Sequence, residues 1–597
     1  MKLLSKLMLL ALFVVATVSC DDDDDGAVIN PGNQSTFDII ANSPDHTVLE
    51  QLLRDAGLDQ VLDSETFTVF APDDDAFAGV DPANFTTEEL TNLLLNHVVN
   101  GSVPSSNLST GYIQTNAVET YSGDENNLNL YVNVENGVVL NGVSTVSLPD
   151  LSASNGVVHV VDAIVSLPTV VTFAATDPNF DTLEAALTQE DLVGVLSGSG
   201  DPAPFTVFAP TNNAFGNFLA AYDSVNDASD LLALDTLDQI LLYHVLSGAV
   251  RAGDINDGDM PATIQGSMLT LNTAGGTSIT DELERVVNIS ATDITTSNGV
   301  IHVINNVIVP DEAVTTTFGI IADSPNHTIL EQLIRDLDLV GVINSATFTI
   351  FAPDDNALSG VNPGDFTTEE LTNIILNHAL AGTNLSSGLS NGYVKTNARE
   401  TYSGDANRID LYINVDNGVQ INGASAVNAA DLEAFNGVVH SVDAIILPAD
   451  VVTLAAANPG FSNLATALTQ QGLIPTLETP GGTSPAPFTV FAPDNTAFQN
   501  FLAENNGFDT IQDVLGSPLL TDVLTYHVIG DVAVRANDIS DGIAPETIQG
   551  ETITINTTGG VTITDQNGRV TNVIATDVTG SNGVIHVLDN VILPTLP

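Results

Sequence analysis

Ten histidines, a single cysteine and runs of aspartate are the residues of this 597-residue chain best suited to chemistry. Imidazole can bind metals or move protons near neutral pH, a thiolate can act as nucleophile or acylation point, and clustered carboxylates can hold calcium. Their spacing points away from a catalytic centre. The chain contains no His-Glu-x-x-His zinc motif, no Gly-x-Ser-x-Gly elbow and no Gly-x-x-x-x-Gly-Lys phosphate loop. Asp73-Asp74-Asp75 and Asp21 to Asp25 lack the spaced ligands and glycine of an EF-hand loop. We expect no enzyme, no cofactor and no formed metal site, only diffuse cation association.

The histidines fall into register with internal repeats. His97, His244, His378 and His527 end a helical stretch in the middle of each unit, and His159, His302, His440 and His586 belong to an Asn-Gly box. His46 and His327 recur in the first helix of units one and three. A histidine at the same place in every copy reads as a core or turn residue with a satisfied hydrogen bond, in preference to a ligand.

Cys20 follows Lys2, Lys6 and an apolar run from Leu7 to Val18. That run is too short to span a bilayer and has the order of a signal peptide, residues 1–19. Thr17-Val18-Ser19-Cys20 resembles a bacterial lipobox, with Thr17 in place of the usual aliphatic residue. The resemblance implies lipidation of Cys20, and two or more acyl chains anchor stably where one is marginal. The alternative is an ordinary cleaved signal with a stray cysteine. Residues 20–34 form an acidic linker whose pentad resembles the export tag of surface lipoproteins in the Bacteroidetes. A secreted outer-membrane lipoprotein at the cell surface is therefore expected, touching membrane only through its lipid.

Seventy-five acidic against 11 basic side chains give a formal charge of −64, which repels phosphate backbones and excludes nucleic acid as a partner. Because 43% of residues are hydrophobic, the chain has apolar surface enough to fold despite that charge. Without further cysteines, packing alone must stabilise it outside the cytoplasm.

Two boxes organise the rest. Phe67-Thr68-Val69-Phe70-Ala71-Pro72 returns at Phe205, Phe348 and Phe488, and Asn155-Gly156-Val157-Val158-His159 returns at Asn298, Asn436 and Asn582. The first box alternates as a strand, and Pro72-Asp73 predicts a helix capped by Asp73, with Thr211 and Asp494 capping its equivalents. Thr47 to Leu58 carries a helical stripe closed by Gly57. Leu128, Leu130, Val132 and Val134 alternate as a strand before tight turns at Asn136-Gly137 and Asn141-Gly142. Units one and three match closely, as do two and four, which indicates a duplicated two-domain block.

The paired boxes, their order and the unit size resemble the fasciclin domain from about Phe37 to Pro594. The resemblance implies an α+β class: four tandem fasciclin domains, each a β-wedge packed beside several α-helices, over residues 35–168, 169–310, 311–448 and 449–597. In animal adhesion proteins of that family, a Tyr-His motif flanked by aliphatic residues is linked to integrin recognition. Here it matches Tyr243-His244 and Tyr526-His527, whereas units one and three carry Asn96-His97 and Asn377-His378. A second family motif, Asp before an aliphatic residue, maps onto Asp150-Leu151, Asp293-Ile294, Asp431-Leu432 and Asp577-Val578. Its plainer reading is a turn-capping aspartate with a buried neighbour.

The resemblance implies cell-surface adhesion or extracellular-matrix binding, with matrix, polysaccharide or surface proteins as partners. Capture of a glycan or small ligand, or a passive stalk, are the alternatives. Protease shaving of intact cells tests the display: the chain should be lost from the surface, and full protection would place it on the periplasmic side.

Overall fold

The protein is described here from a computed structural model that covers residues 33–595 apart from 223, 224, 226 and 506. The signal segment, Cys20 and the aspartate pentad lie outside the described residues.

The first box forms the strands Phe67–Pro72, Phe205–Pro210, Phe348–Pro353 and Phe488–Pro493. The second forms Gly156–Val161, Gly299–Ile304, Gly437–Val442 and Gly583–Leu588. In every copy the two run parallel, with the phenylalanine opposite the glycine of the second box. Parallel strands are covered on both faces, which is why these boxes are nearly continuous apolar runs. The pairing also explains the glycine. A Cβ on Gly156 or Gly437 would stand 1.9 Å from the facing phenylalanine carbonyl oxygen, and on Gly299 or Gly583 2.3 or 2.4 Å from it.

The asparagine before each glycine closes the domain. The Oδ1 atoms of Asn155, Asn298, Asn436 and Asn582 accept the backbone N–H of Thr36, Val170, Thr317 and Val451, where each domain's first helix starts, at 2.6 to 3.0 Å. Their Nδ2 atoms donate to carbonyls that precede the first-box strand, such as Leu62 and Glu65, Leu196 and Gly198, or Leu477 and Thr479. One side chain thus ties the entry helix, the loop before one strand and the start of the other.

On its other side each second-box strand pairs antiparallel with a long strand: Ser144–Ala153, Val286–Thr296, Ser425–Ala434 or Val570–Gly580. In the third domain the strands close into a barrel, while the second and fourth carry six-stranded sheets. Helices cover the box strands. Thr47–Asp55 and Thr328–Asp336 bury Leu49, Leu52 and Leu53, and Leu330, Leu333 and Ile334. The first of these helices ends where expected, with Gly57 at φ +68° and Leu58 N–H donating to Leu53 O.

The helix expected after Pro72 differs between copies. Thr211 and Asp494 cap ten-residue helices, Asn212–Ala221 and Asn495–Glu504. Asp73 does accept the Ala76 N–H at 2.9 Å, but the chain after it makes only turns. Gly79 at φ +91° and Pro82 follow within a few residues and leave no length over which a helix could propagate.

By contact density the chain divides into two units. The smaller contains the first repeat up to Ala117 and Val132–Ser166, and the larger contains Val118–Tyr131 and Leu167–Pro597. Within the larger unit, junctions between successive domains are packed. Tyr222 of the second domain packs against Phe435 of the third, ring centres 4.9 Å apart and tilted by 42°, and donates its hydroxyl to Asn344 O at 2.7 Å. Arg285, buried against Asp281, donates to the same hydroxyl at 2.6 Å. Gly341 permits the approach, since a Cβ there would lie 2.1 Å from Glu284 O. Between the third and fourth domains, Asp410 accepts from Lys395 Nζ and from Thr579 N–H, each at 2.6 Å, and Tyr402 donates to Gly583 O at 3.1 Å. The segment Val118–Tyr131 treats the second domain in the same way: Asn129 accepts Thr295 N–H at 2.8 Å and Tyr121 donates to Gly299 O at 2.9 Å.

Replacing Gly437 by alanine should lower the stability of the third domain by about 3 kcal/mol or more, because the methyl must displace backbone. Urea unfolding followed by hydrogen exchange of that domain measures the loss, and an unchanged protection pattern would contradict the register.

Candidate functional site

The central helix of each domain, Thr87–Leu95, Leu237–Tyr243, Thr368–Asn377 or Leu520–Tyr526, is followed by a buried histidine after at most one further residue. In all four the Nδ1–H donates to the carbonyl four residues back, at 2.7 to 2.9 Å. Nε2 accepts a backbone N–H from the chain that leaves the second-box strand, at Val165, Ile308, Ile446 and Ile592. Both ring nitrogens are thereby used, with the proton on Nδ1. Burial pushes the pKa of His97, His244, His378 and His527 down to about 4, outweighing the carbonyl that favours the cation.

The tyrosines of the Tyr-His motif are buried as well. Tyr243 and Tyr526 are 0% exposed and His244 and His527 only 3% and 2%. Tyr243 donates to Met268 O at 2.8 Å and Tyr526 to Thr552 O at 2.9 Å, so each ring pins the helix to the facing hairpin. Burial raises both phenol pKa values, that of Tyr526 to about 12. In domains one and three the asparagine at that place reaches the tail instead: Asn96 Nδ2 donates to Val165 O and Asn377 Nδ2 to Ile446 O. As contact residues, Tyr243, His244, Tyr526 and His527 are corrected by this burial, because a partner could reach them only after local unfolding.

The Asp-aliphatic motif sits on the long strand at a bulge opposite the second-box histidine. Asp150, Asp293, Asp431 and Asp577 have φ between 59° and 65°, and their N–H groups donate to Nδ1 of His159, His302, His440 and His586. Nε2 then carries the proton and donates to Val103, Val250, Asn384 or Val534 O at 2.8 to 3.0 Å. Each carboxylate turns back to hold the backbone N–H that opens a short 3-10 turn, at Ser105, Ala252, Ser386 or Ala536. The hydrogen bonds from Ser105 and Ser386, side chain and backbone, lower the pKa of Asp150 and Asp431.

The four copies differ in what they leave open. The side chains of Asp150 and Asp431 are 43% and 35% exposed, and Leu432 is 39% exposed. Leu151 is half-buried. Ile294 and Val578 are 6% and 7% exposed, and the residues after them, Thr295 and Thr579, are those held by Asn129 and Asp410. The motif therefore meets solvent most freely in the odd-numbered copies.

Sequence reasoning missed Asn129, Tyr121, Tyr402 and Asp410. The alternation at Leu128 to Val134 predicts Asn129 and Tyr131 on a polar face, whereas both are buried. It also missed Glu119 and Glu400. Burial would raise these carboxyls, but donors from Ser122, Tyr121 and Asn126, or from Ser403, Tyr402 and Asn407, lower them. The recurrence of Glu-Thr-Tyr-Ser-Gly-Asp at Glu119 and Glu400 was the available signal. Among the described residues no group of three His, Cys, Asp or Glu side chains has the placement of a metal site. In the aspartate triad, Asp73 caps a turn and Asp74 accepts Thr47 Oγ1–H and Val48 N–H.

The buried central histidines make the fold acid-sensitive. A folded pKa near 4 against 6.5 in the unfolded chain means that the unfolded chain binds more protons in between. The stabilisation is complete above pH 6.5 and is lost as pH falls toward 4, on the order of 3 kcal/mol per domain. His378→Gln should be less stable than the parent at pH 7 yet lose less on going to pH 4.5, as read by urea unfolding. Equal losses would show that His378 is not the titrating group.

A family model described as the fasciclin domain matches residues 44–168, 178–310, 325–448 and 459–594. Over 548 residues, 89% of this chain and 73% of the other, it is 28% identical to transforming growth factor-beta-induced protein ig-h3 of Sus scrofa. It is 27% identical to human periostin over 89% of this chain and 60% of periostin. Protein sll1483 of Synechocystis is 39% identical over 28% of this chain and 89% of its own length. The solved domain pair from the insect cell adhesion molecule fasciclin I covers 44% of this chain at 18% identity, with a TM-score of 0.30. With four matched segments that together take in most of its length, the chain belongs to the fasciclin domain family.

Proposed function

We propose that this chain is a multivalent adhesion or matrix-binding protein, tethered to a cell surface through lipid on Cys20 and engaging extracellular polymers or surface proteins by repeated contacts. The observation that carries this reading is fourfold repetition of one scaffold in a chain similar along 89% of its length to ig-h3 and periostin. The polar groups of the buried networks are turned onto the protein itself, a use that favours display over turnover. The contact face we favour is the Asp-aliphatic bulge of the odd copies, Asp150-Leu151 and Asp431-Leu432, where carboxylate and side chain reach solvent. Asp293-Ile294 and Asp577-Val578 are the same device put to use inside the chain. No helix among the described residues is long and apolar enough to cross a membrane, and the tether rests on the segment before Asp21.

Linked modules turn later binding events into intramolecular ones, so avidity exceeds single-module affinity by about a hundredfold to ten-thousandfold where geometry allows. Beads coated at equal density with the full chain or with a form ending at Pro310 should differ in attachment to a matrix surface, the full chain holding far longer. Attachment that does not rise with domain number would refute multivalency.

A further inference from the structure

The basic residues are few enough to follow one by one. Of the 11 in the chain, Lys2 and Lys6 lie outside the described residues. Arg54 and Arg335 pair with Glu50 and Glu331, Arg285 with Asp281, Arg569 with Glu504, and Lys395 with Asp410. Arg535 lies 3.9 Å from Glu400, and Arg251 donates to Thr295 Oγ1. Two remain, Arg399 and Arg408, and they stand directly opposite each other on the antiparallel strands Gly392–Arg399 and Arg408–Asn414. Both are exposed, and among the described residues neither meets a carboxylate within 4.0 Å. In the first repeat Val118 and Asn127 occupy these places, so the fold does not require the pair.

Like charges facing across a strand pair repel each other, with Cβ atoms about 5 Å apart. An acid group between the two guanidinium forks would relieve the repulsion and accept several charge-assisted hydrogen bonds. Arg399 Nη1 donates to Ala406 O at 2.7 Å, which fixes one fork in advance.

Arg399 also lines an open cleft of about 800 Å³ in the third domain, within the size range of ligand sites. Phe366, Ile374, Leu447 and Pro448 give it apolar surface, and Leu447 is 51% exposed. Thr367 and Asn373 line it with side chains already engaged, Thr367 with Glu370 and Asn373 with the backbone of Arg399, which it holds in place. Three carboxylates line it too. Glu370 is committed to Thr367 in a capping box, and Glu400 is buried under the donors of its own loop. Glu369 is exposed and available to accept from a hydroxyl.

We propose that the third domain carries a binding site for an acidic polysaccharide: Arg399 and Arg408 grip one carboxylate together while neighbouring sugars lie in the cleft, apolar faces on Leu447 and Pro448 and hydroxyls toward Glu369. The net charge of −64 selects among polyanions. A duplex nucleic acid, with about one charge per 1.7 Å of axis, is repelled along its length, whereas a uronic acid chain carries at most one carboxylate per sugar and is repelled less. The proposal names a partner class within the adhesive reading and rests on it.

Titration of the full chain with trigalacturonate at low salt tests the site. We expect saturable binding with one site per chain, no heat from a neutral dextran oligomer, and affinity that falls with added salt. The double variant Arg399→Gln, Arg408→Gln should bind at least tenfold more weakly with a shallower salt dependence, while Arg399→Lys, Arg408→Lys falls between. Both side chains are exposed, so thermal unfolding of the double variant should match the parent. Equal binding by the double variant, four sites per chain, equal binding of dextran, tighter binding of a sulfated sugar, a DNA oligomer or an acidic peptide, or no binding at millimolar trigalacturonate would each overturn the proposal. Bead attachment separates it from the wider reading. Valency-dependent attachment without trigalacturonate binding removes only this site, and trigalacturonate binding without valency dependence removes only multivalent adhesion.

Discussion

In each repeat a phenylalanine carbonyl lies where the Cβ of the facing glycine would stand. That contact sets the parallel register of the two box strands, and much else follows from it. With Gly156 opposite Phe67, Asn155 arrives where it can bind both the entry helix and the loop before the strand. Three residues on, His159 stacks 5.4 Å from Phe70 and turns its nitrogens to the bulge and to Val103. A side chain larger than hydrogen at the glycine would separate the strands and leave several buried polar groups without partners, a cost well above that of one lost contact.

The same bulge serves two purposes along the chain. In the even domains its outer strand is taken up by a neighbouring hairpin, through Asn129 on Thr295 and Asp410 on Thr579. In the odd domains it stays more open. Alternation of this kind lets one scaffold build packed junctions and still present a repeated face, as expected where each repeat contacts only its neighbours.

The first and fourth domains differ from the second and third in the same physical terms. Where the third domain receives Tyr222 with Gly341, Asn344 and Phe435, the first has Gln60, Asp63 and Ser154. Asp63 instead accepts the Ser35 hydroxyl. Where the second domain offers Tyr222, the fourth has Asn505, which bonds its own helix at Phe501 O. Polar side chains thus stand on the first and fourth domains in places where aromatic and glycine residues make the junction between the second and third.

The amino-acid sequence alone determined the number of domains, their α+β class and the places of the box strands. Those features rest on patterns that repeat in register: alternating apolar residues, the Phe and Asn-Gly boxes, and histidines recurring at one position. It also held the clue that Tyr243 and Asn96 are interchangeable, although not why. Only the tertiary structure decided that Tyr243 and Tyr526 are buried struts, that Asn129 and Asp410 face a neighbouring domain, and that Arg399 and Arg408 oppose each other without an acid. Such assignments depend on which strands are adjacent and which face a neighbour covers. Local periodicity cannot encode them, because a polar residue on an alternating strand reads the same whether it meets water or the backbone of the next domain.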